Sequence, residues 1–289
     1  MHHPMSQASV SYAVEEITAA LNHPLVLTRF IHFPATHAER VATMEKNARR
    51  GLLGVLGLVD GTIIHITPPP RPNQHYYSRK GFTSLNDMIV CDVDLNNLTV
   101  NARYPGSSHD SYVYNNSALP DVMRTAFRES HCWLLGDSGY PLQPWLMTPL
   151  PGAPEGTPEY HYTQLHGKVR NAVERCIGVL KARWRCICND NAVPYRPTKS
   201  GLIINACVVL HNILTRMRLP VPINYHQFQD EPDPDNVVDP DDVIQHLDNA
   251  EAVQADLVAH ANWNPNSLKK LSSLVDLKLG HFLLTKPIC

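Results

Sequence analysis

Three acidic residues, Asp60, Asp137 and Glu174, stand in contexts that set each of them off from an ordinary surface acid. Asp60 interrupts the apolar run Gly57-Leu-Val-Asp-Gly-Thr-Ile-Ile-His-Ile66. An ionised carboxylate there is costly unless it is paired or bound to a cation. Asp137 follows the short apolar segment Cys132-Trp-Leu-Leu-Gly136, and Glu174 lies near the buried edge of a helical pattern between Val173 and Cys176. Gly178, one turn later, leaves room for an ion or a phosphate. Hydrolysis of a phosphodiester at neutral pH needs an activated water and a stabilised leaving oxyanion, and two divalent ions about 4 Å apart supply both. Mg²⁺ takes hard oxygen ligands and keeps several waters, so two or three carboxylates and a substrate phosphate suffice without a His/Cys cage.

Taken singly, each acid also has an ordinary explanation. Asp60 before Gly61 reads equally as a bulge or turn residue, Asp137 as a turn residue, and Asp110 as part of a cap, Gly106-Ser-Ser-His-Asp110, for the helix that follows. Glu174 and Arg170, four residues apart, make a surface ion pair worth about 0.3–0.5 kcal/mol. His65 and His109 read as structural residues, with a phosphate contact as the alternative for His109 beside Asp110. Gly136-Asp-Ser-Gly139 resembles the nucleophile segment of chymotrypsin-like serine proteases, but Tyr140 replaces the following Gly and the second half of the chain is helical, which excludes that reading.

The elements that would position these acids follow from periodicity. Residues 6–22 place Val10, Val14, Ile17 and Leu21 on one helical face after a Ser cap, and a second helix is expected over 35–50 before Gly51. Strands are predicted at 57–66, 88–94 and 98–104, the last two as a hairpin around Asn96-Asn97. Helices follow over 108–115 and towards Arg128, then a fourth strand over 132–136 and a Pro-rich loop over 145–162. Two amphipathic helices close the pattern, at 168–185 and 200–218. The fold class is α/β, a mixed sheet in the order β-β-β-α-β-α flanked by helices. It divides as a helical region (1–50), a catalytic domain (51–219) and an acidic linker and tail (220–289), with weak amphipathic segments at 241–260 and 268–284.

The 289-residue chain is 43% hydrophobic, enough for a sizeable core, and no apolar run approaches the roughly 20 residues of a bilayer span. The start lacks the apolar core of a secretory signal, so an intracellular protein is expected. Seven scattered cysteines without paired C-x-x-C spacing read as reduced core thiols. The net charge of −2 hides an asymmetry: residues 230–256 hold ten acids and no Lys or Arg, leaving 21 basic against 16 acidic side chains in residues 1–229, or +5. Several of those 16 are the proposed ligands, so a bound ion leaves a more basic surface for phosphate.

As a set, the residues resemble the Harbinger (PIF/Harbinger) family of DDE-type DNA transposases and its host-domesticated, transposase-derived nucleases. The resemblance runs from about Ser6 to Arg218 on Val59-Asp-Gly-Thr62, Tyr77-Ser-Arg-Lys-Gly81, Pro105-Gly-Ser-Ser-His-Asp-Ser111, Leu135-Gly-Asp-Ser-Gly-Tyr140, Trp145-Leu-Met-Thr-Pro149, Asn171-Ala-Val-Glu-Arg175 and Ala206-Cys-Val-Val-Leu-His-Asn212. It implies a ribonuclease H-like fold, with Asp60, Asp137 and Glu174 in the catalytic positions and Asp110 joining them as a ligand of Mg²⁺ or Mn²⁺. It also implies nuclear residence, with the cytoplasm as a second compartment, and a separate Myb-like DNA-binding partner. Full-length relatives carry a longer helical region with a helix-turn-helix-like element. Residues 6–11 resemble only its last helix, and a shortened start is expected.

The helix 168–185 carries Lys168, Arg170, Arg175, Lys181, Arg183 and Arg185 against Glu174 alone, so its exposed side is expected to lie along DNA. Arg79 and Lys80 are further candidate phosphate contacts; for each of these cations a solvated charged face is the alternative. Two functions compete: a metal-dependent DNA endonuclease, and a domesticated, non-cleaving protein that keeps the fold to bind DNA or a partner. A small-molecule phosphatase has little support.

Overall fold

The computed structural model describes residues 6–70, 74–188 and 191–222, together with 252, 254 and 255. Three helices come first: α1 (Gln7–Leu21), α2 (Pro24–Phe30) and α3 (His37–Ala48). The Ser6 hydroxyl accepts from the Ser9 amide and caps α1, while Thr36 and Glu39 form a reciprocal capping box on α3. Sequence periodicity misses α2, because seven residues are too few to display an apolar stripe. Pro24 at its first turn and the His23 ring, which accepts from the Leu25 amide, define its start instead.

The sheet is built from β1 (Val55–His65), β2 (Ser84–Cys91), β3 (Asn97–Pro105), β4 (Trp133–Leu135) and β5 (Leu146–Met147), in the spatial order β3-β2-β1-β4-β5. The first three strands are antiparallel neighbours, and β4 and β5 add in parallel beyond β1. This is the mixed sheet with flanking helices that the sequence predicts. Between β3 and β4 the chain forms α4 (Asp110–Asn115) and α5 (Leu119–Ser130); after β5 come α6 (Pro158–Arg183) and α7 (Pro197–Arg216). One register matters most. Leu58 of β1 pairs with Leu135 of β4 in parallel, so Asp60, midway along β1, and Asp137, just past the end of β4, each two residues further on, lie side by side.

Two apolar clusters cover the two faces. Leu58, Ile64, Leu85 and Ile89 pack with Val169, Val173, Ile177 and Leu180 of α6 and Ile204 and Val208 of α7. Leu56, Val59, Met88 and Val90 pack with Val113, Tyr114, Leu119 and Met123 of α4 and α5. Each of these side chains is nine-tenths or more buried, which at about 25 cal/mol per Å² makes this packing the main force seating the helices on the sheet.

Three boundaries differ from the sequence expectation, each for a local reason. Strand β2 begins at Ser84 rather than at 88, because its first residues, Ser84, Asn86 and Asp87, are polar yet fully buried. The stretch 145–162, read as a Pro-rich loop, contains β5 and the first turn of α6. There Thr157 caps the helix by accepting from the Tyr160 amide, and Pro158 occupies a first-turn position where its missing N–H costs nothing. The β2–β3 turn is closed by the Asp92 carboxylate, which accepts from the Asp94 and Asn96 amides, with Leu95 at φ 66°. The acidic linker and the segments expected at 241–260 and 268–284 lie outside the described residues, apart from 252, 254 and 255. Among these, the buried Gln254 amide donates to the Thr148 carbonyl at 2.8 Å. Among the described residues, no helix is long and apolar enough to cross a membrane.

Candidate metal centre

Asp60, Asp110 and Asp137 converge. One carboxylate oxygen from each lies within 4.8 Å of the others, and among the described residues this is the one group of three or more His, Cys, Asp or Glu side chains so placed. Parallel pairing of β1 with β4 brings Asp60 beside Asp137, and the third acid arrives at the start of α4. Its approach depends on Gly61. A Cβ there would sit 2.1 Å from Asp110 Oδ1, so the carboxylate fills the space that any larger residue would need. Asn86 of β2 fixes the Asp110 orientation, its amide donating to Asp110 Oδ1 at 2.7 Å and to the Ser108 carbonyl at 2.8 Å. Backbone amides orient the other two: Gly61 N–H donates to Asp60 Oδ1 at 3.0 Å and Gly139 N–H to Asp137 Oδ1 at 2.9 Å.

The cluster is electrostatically loaded. Burial pushes the Asp60 carboxyl up to about 7; the Arg170 guanidinium pulls it back, and the charges of Asp137 and Asp110 add to the rise. Arg170 donates from Nη1 to Asp60 Oδ2 at 2.8 Å and from Nη2 to Glu174 Oε1 at 2.6 Å, bridging the strand acid and the helix acid. Tyr140 stands behind the cluster, 1% exposed and with its hydroxyl unpartnered among the described residues. Burial raises that hydroxyl well above its ordinary range, with the charges of Asp110, Asp60 and Asp137 adding to the effect. The donor set fits a hard divalent cation: three carboxylates meet in a half-buried site where like charges raise the cost of Asp60's ionisation, and a cation relieves that cost.

The structure does not bring all of the sequence-predicted residues to the same point. Glu174 is held by Arg170 and is not one of the three converging acids, although its position four residues on from Arg170 keeps it beside the cluster. Arg170, expected on an exposed DNA-facing side, is turned inward with 16% of its side chain exposed, because Asp60 and Glu174 draw it into the site. Lys181 is a clear correction. It is fully buried, donating to the Ile63 carbonyl at 3.4 Å near the buried Asp87 carboxylate, so it presents nothing to solvent. Arg183 is half-buried and ties α6 to α7, donating to Thr215 Oγ1 at 3.0 Å and to the Leu219 carbonyl at 3.3 Å. Lys168, Arg185, Arg79 and Lys80 are exposed and Arg175 half-buried. The Arg79 guanidinium lies on the ring of His109, next to Asp110.

Sequence reasoning passed over Asn86, Gly61 and Tyr140. Asn86 lay in a stretch taken as preceding a strand. The signals for the other two were present, a Gly after the strand acid and a Tyr closing Gly136-Asp-Ser-Gly-Tyr140, but neither announces its contact.

Comparison with known proteins fits this geometry. Residues 59–212, more than half of the chain, match the DDE superfamily endonuclease family, and the matched stretch begins one residue before Asp60 and contains all four acids. The chain belongs to the DDE superfamily endonucleases. Among curated proteins it is 39% identical over 211 residues to "Putative nuclease HARBI1" of Bos taurus and 38% identical over 211 residues to the protein of that name in Homo sapiens, covering 72% of this chain and 59% of each relative. It is 31% identical over 233 residues to "Protein ALP1-like" of Arabidopsis thaliana, covering 74% of this chain and 55% of that one. The chain thus spans a little over half the length of the curated relatives it matches. No solved structure matches it. The Harbinger resemblance read from the motifs agrees with these relatives, and the Asp triad gives this DDE endonuclease domain a site able to hold a metal ion.

Proposed function

We propose that this chain is a transposase-derived, metal-dependent DNA endonuclease in which Asp60, Asp110 and Asp137 hold Mg²⁺ or Mn²⁺ and Glu174 completes the acidic set. The observation that carries the reading is the convergence of the three aspartates, from two strands and a helix start, to within 4.8 Å. A bound divalent ion supplies an activated water and stabilises the leaving oxyanion. The chain's own groups prepare the site. Asn86 and the Gly61 and Gly139 amides aim the carboxylates. Arg170 pairs with both Asp60 and Glu174 and so bridges the strand acid to the helix acid. Exposed Arg79, Lys80, Lys168 and Arg185, with the half-buried Arg175, supply phosphate contacts along the approach of a duplex, a sequence-independent source of affinity. A Myb-like DNA-binding partner and nuclear residence belong to the same reading and rest on the Harbinger resemblance.

A second reading, a non-cleaving protein that keeps the fold to bind DNA or a partner, is favoured by one observation. Arg170 already counters the charge of Asp60 and Glu174, which is what a descendant without an ion needs. Purified chain incubated with supercoiled DNA and Mn²⁺ separates the two. The first reading expects nicking by the wild type and a loss of at least about 100-fold in Asp60→Asn and Asp137→Asn. Intact DNA with the wild type, or equal cutting by Asp60→Asn, overturns it.

A further inference from the structure

Of the described cysteines, Cys186 alone is exposed; Cys91, Cys132, Cys176, Cys188 and Cys207 are buried. Cys186 sits on the single 3-10 turn that follows α6, Arg185–Ile187, and Cys207 sits on α7. Their sulfurs face each other across 3.9 Å. A disulfide needs about 2.05 Å, so the two sulfurs have roughly 2 Å to close before a covalent bond forms. The two thiols are unequal. The contact with Cys207 lowers the Cys186 thiol to about 7, while that contact and burial push the Cys207 thiol far up, an asymmetry that fits Cys207 as the S–H donor. One exposed thiol with thiolate character backed by a buried neutral thiol is the division of labour that separates an attacking sulfur from a resolving one.

We propose that Cys186 and Cys207 form an oxidation site for peroxides, converting to a disulfide that staples the segment after α6 to α7. The Cys186 thiolate attacks one peroxide oxygen: an S–O bond forms, the O–O bond breaks, and hydroxide leaves and takes up the proton that Cys186 released. The Cys207 sulfur then attacks the sulfenic acid: the S–S bond forms, the S–O bond breaks, and water leaves carrying the Cys207 proton. Two thiols and one hydrogen peroxide give one disulfide and two waters, the sulfurs losing two electrons and the peroxide gaining them. The site is remote from the acids. Arg170 and Arg183 are 13 residues apart on one helix, about 20 Å along its axis, and the cysteine turn begins beyond Arg183. What the staple does constrain is the turn that carries the exposed Arg185.

The test treats the full chain with hydrogen peroxide, blocks remaining thiols and maps peptides without reduction. A Cys186–Cys207 linked peptide that a dithiol reductant removes, together with its absence in Cys186→Ser, supports the proposal. A link from Cys186 to Cys188, or oxidised Cys186 with no link at all, overturns it. The rate of Cys186 alkylation in the wild type, followed against pH, should have its midpoint near 7. In Cys207→Ala the midpoint should rise by about one unit and the rate at pH 7 fall several-fold. An unchanged profile in that variant, or a wild-type midpoint at the ordinary thiol value of about 8.5, removes the asymmetry on which the mechanism depends. The exposed Cys186→Ser change and the wild-type profile remain decisive if Cys207→Ala fails to fold.

Discussion

Arg170 Nη1 donates to Asp60 Oδ2 at 2.8 Å, joining a helix to the strand it covers at the acidic cluster. The same guanidinium grips Glu174, so one cation holds two of the four acids that the sequence marks out. The site is therefore poised between two neutralising agents, a fixed guanidinium and an exchangeable ion, and stability and function respond differently to each.

Asp60→Asn is expected to stabilise the protein in the presence of a chelator. The folded carboxyl titrates near 7, above the unfolded value of about 3.9, so the native state holds its proton more tightly than the unfolded chain does. The stabilisation that comes with the proton is complete below about pH 4 and is lost as pH rises through 7; at pH 8 the ionised group is a net cost. A neutral isostere removes it, for a gain below the roughly 4 kcal/mol that corresponds to the rise from about 3.9 to about 7, because Arg170 loses its bond to the Asp60 carboxylate. Thermal unfolding at pH 8 checks the sign, and a lower Tm for the variant counts against it. Added Mn²⁺ should then raise the wild-type Tm and leave that of Asp60→Asn unmoved.

His166 carries the opposite sign of linkage. Burial lowers its imidazole to about 4, and the 1%-exposed ring contacts the Met147 carbonyl at 3.2 Å, which fits the neutral ring donating from Nε2. The unfolded chain takes up a proton near 6.5 and the native state does not, so stability is complete above that pH and falls between 6.5 and 4. The loss amounts to about 3 kcal/mol. Denaturant midpoints at pH 7 and pH 4.5 should differ more for the wild type than for His166→Gln; equal differences in the two proteins would refute the assignment.

How much of this was legible without coordinates depends on which kind of signal a residue gives. Asp60 and Asp137 declare themselves because an acid bounded by apolar residues is rare and costly, and strand pairing then puts them together. The helix 168–185 was legible as amphipathic, but charge alone misassigned Lys181. Its long apolar stem suits burial as well as exposure, and the deciding partner, Asp87, lies 94 residues away on a strand whose polar start reads as loop. Asn86 and Gly61 were illegible for a related reason. What they do is set by a third residue, Asp110, and no local pattern encodes a contact across 24 or 49 positions.

Gly61→Ala is the sharpest probe of that contact. The added methyl would stand 2.1 Å from Asp110 Oδ1 and 2.5 Å from its Cγ, so the carboxylate must leave. We expect affinity for Mn²⁺, measured by calorimetric titration, to fall by at least about tenfold, as when the supports of a ligand shell are removed. Asn86→Ala should act on the same carboxylate through the lost 2.7 Å hydrogen bond. If Gly61→Ala binds Mn²⁺ as the wild type does, Asp110 is not a ligand.

Lys181 and Lys168 lie on one helix and should answer to different measurements. Lys181→Glu puts a second carboxylate beside buried Asp87 and leaves an uncompensated charge, a change that costs about 3–5 kcal/mol, so its DNA binding fails only because the protein unfolds. Lys168 is exposed, and Lys168→Glu should keep the wild-type Tm within about 0.5 kcal/mol of stability. Its effect belongs in the salt dependence of DNA binding, where each lost phosphate contact reduces the slope of log K against log salt by about one. Unfolding curves and binding isotherms at three salt concentrations distinguish the two positions. A Lys168→Glu protein that binds with the wild-type slope would take this face of α6 out of the path of DNA and leave Arg79, Lys80 and the cysteine-bearing turn at Arg185 as its remaining approach.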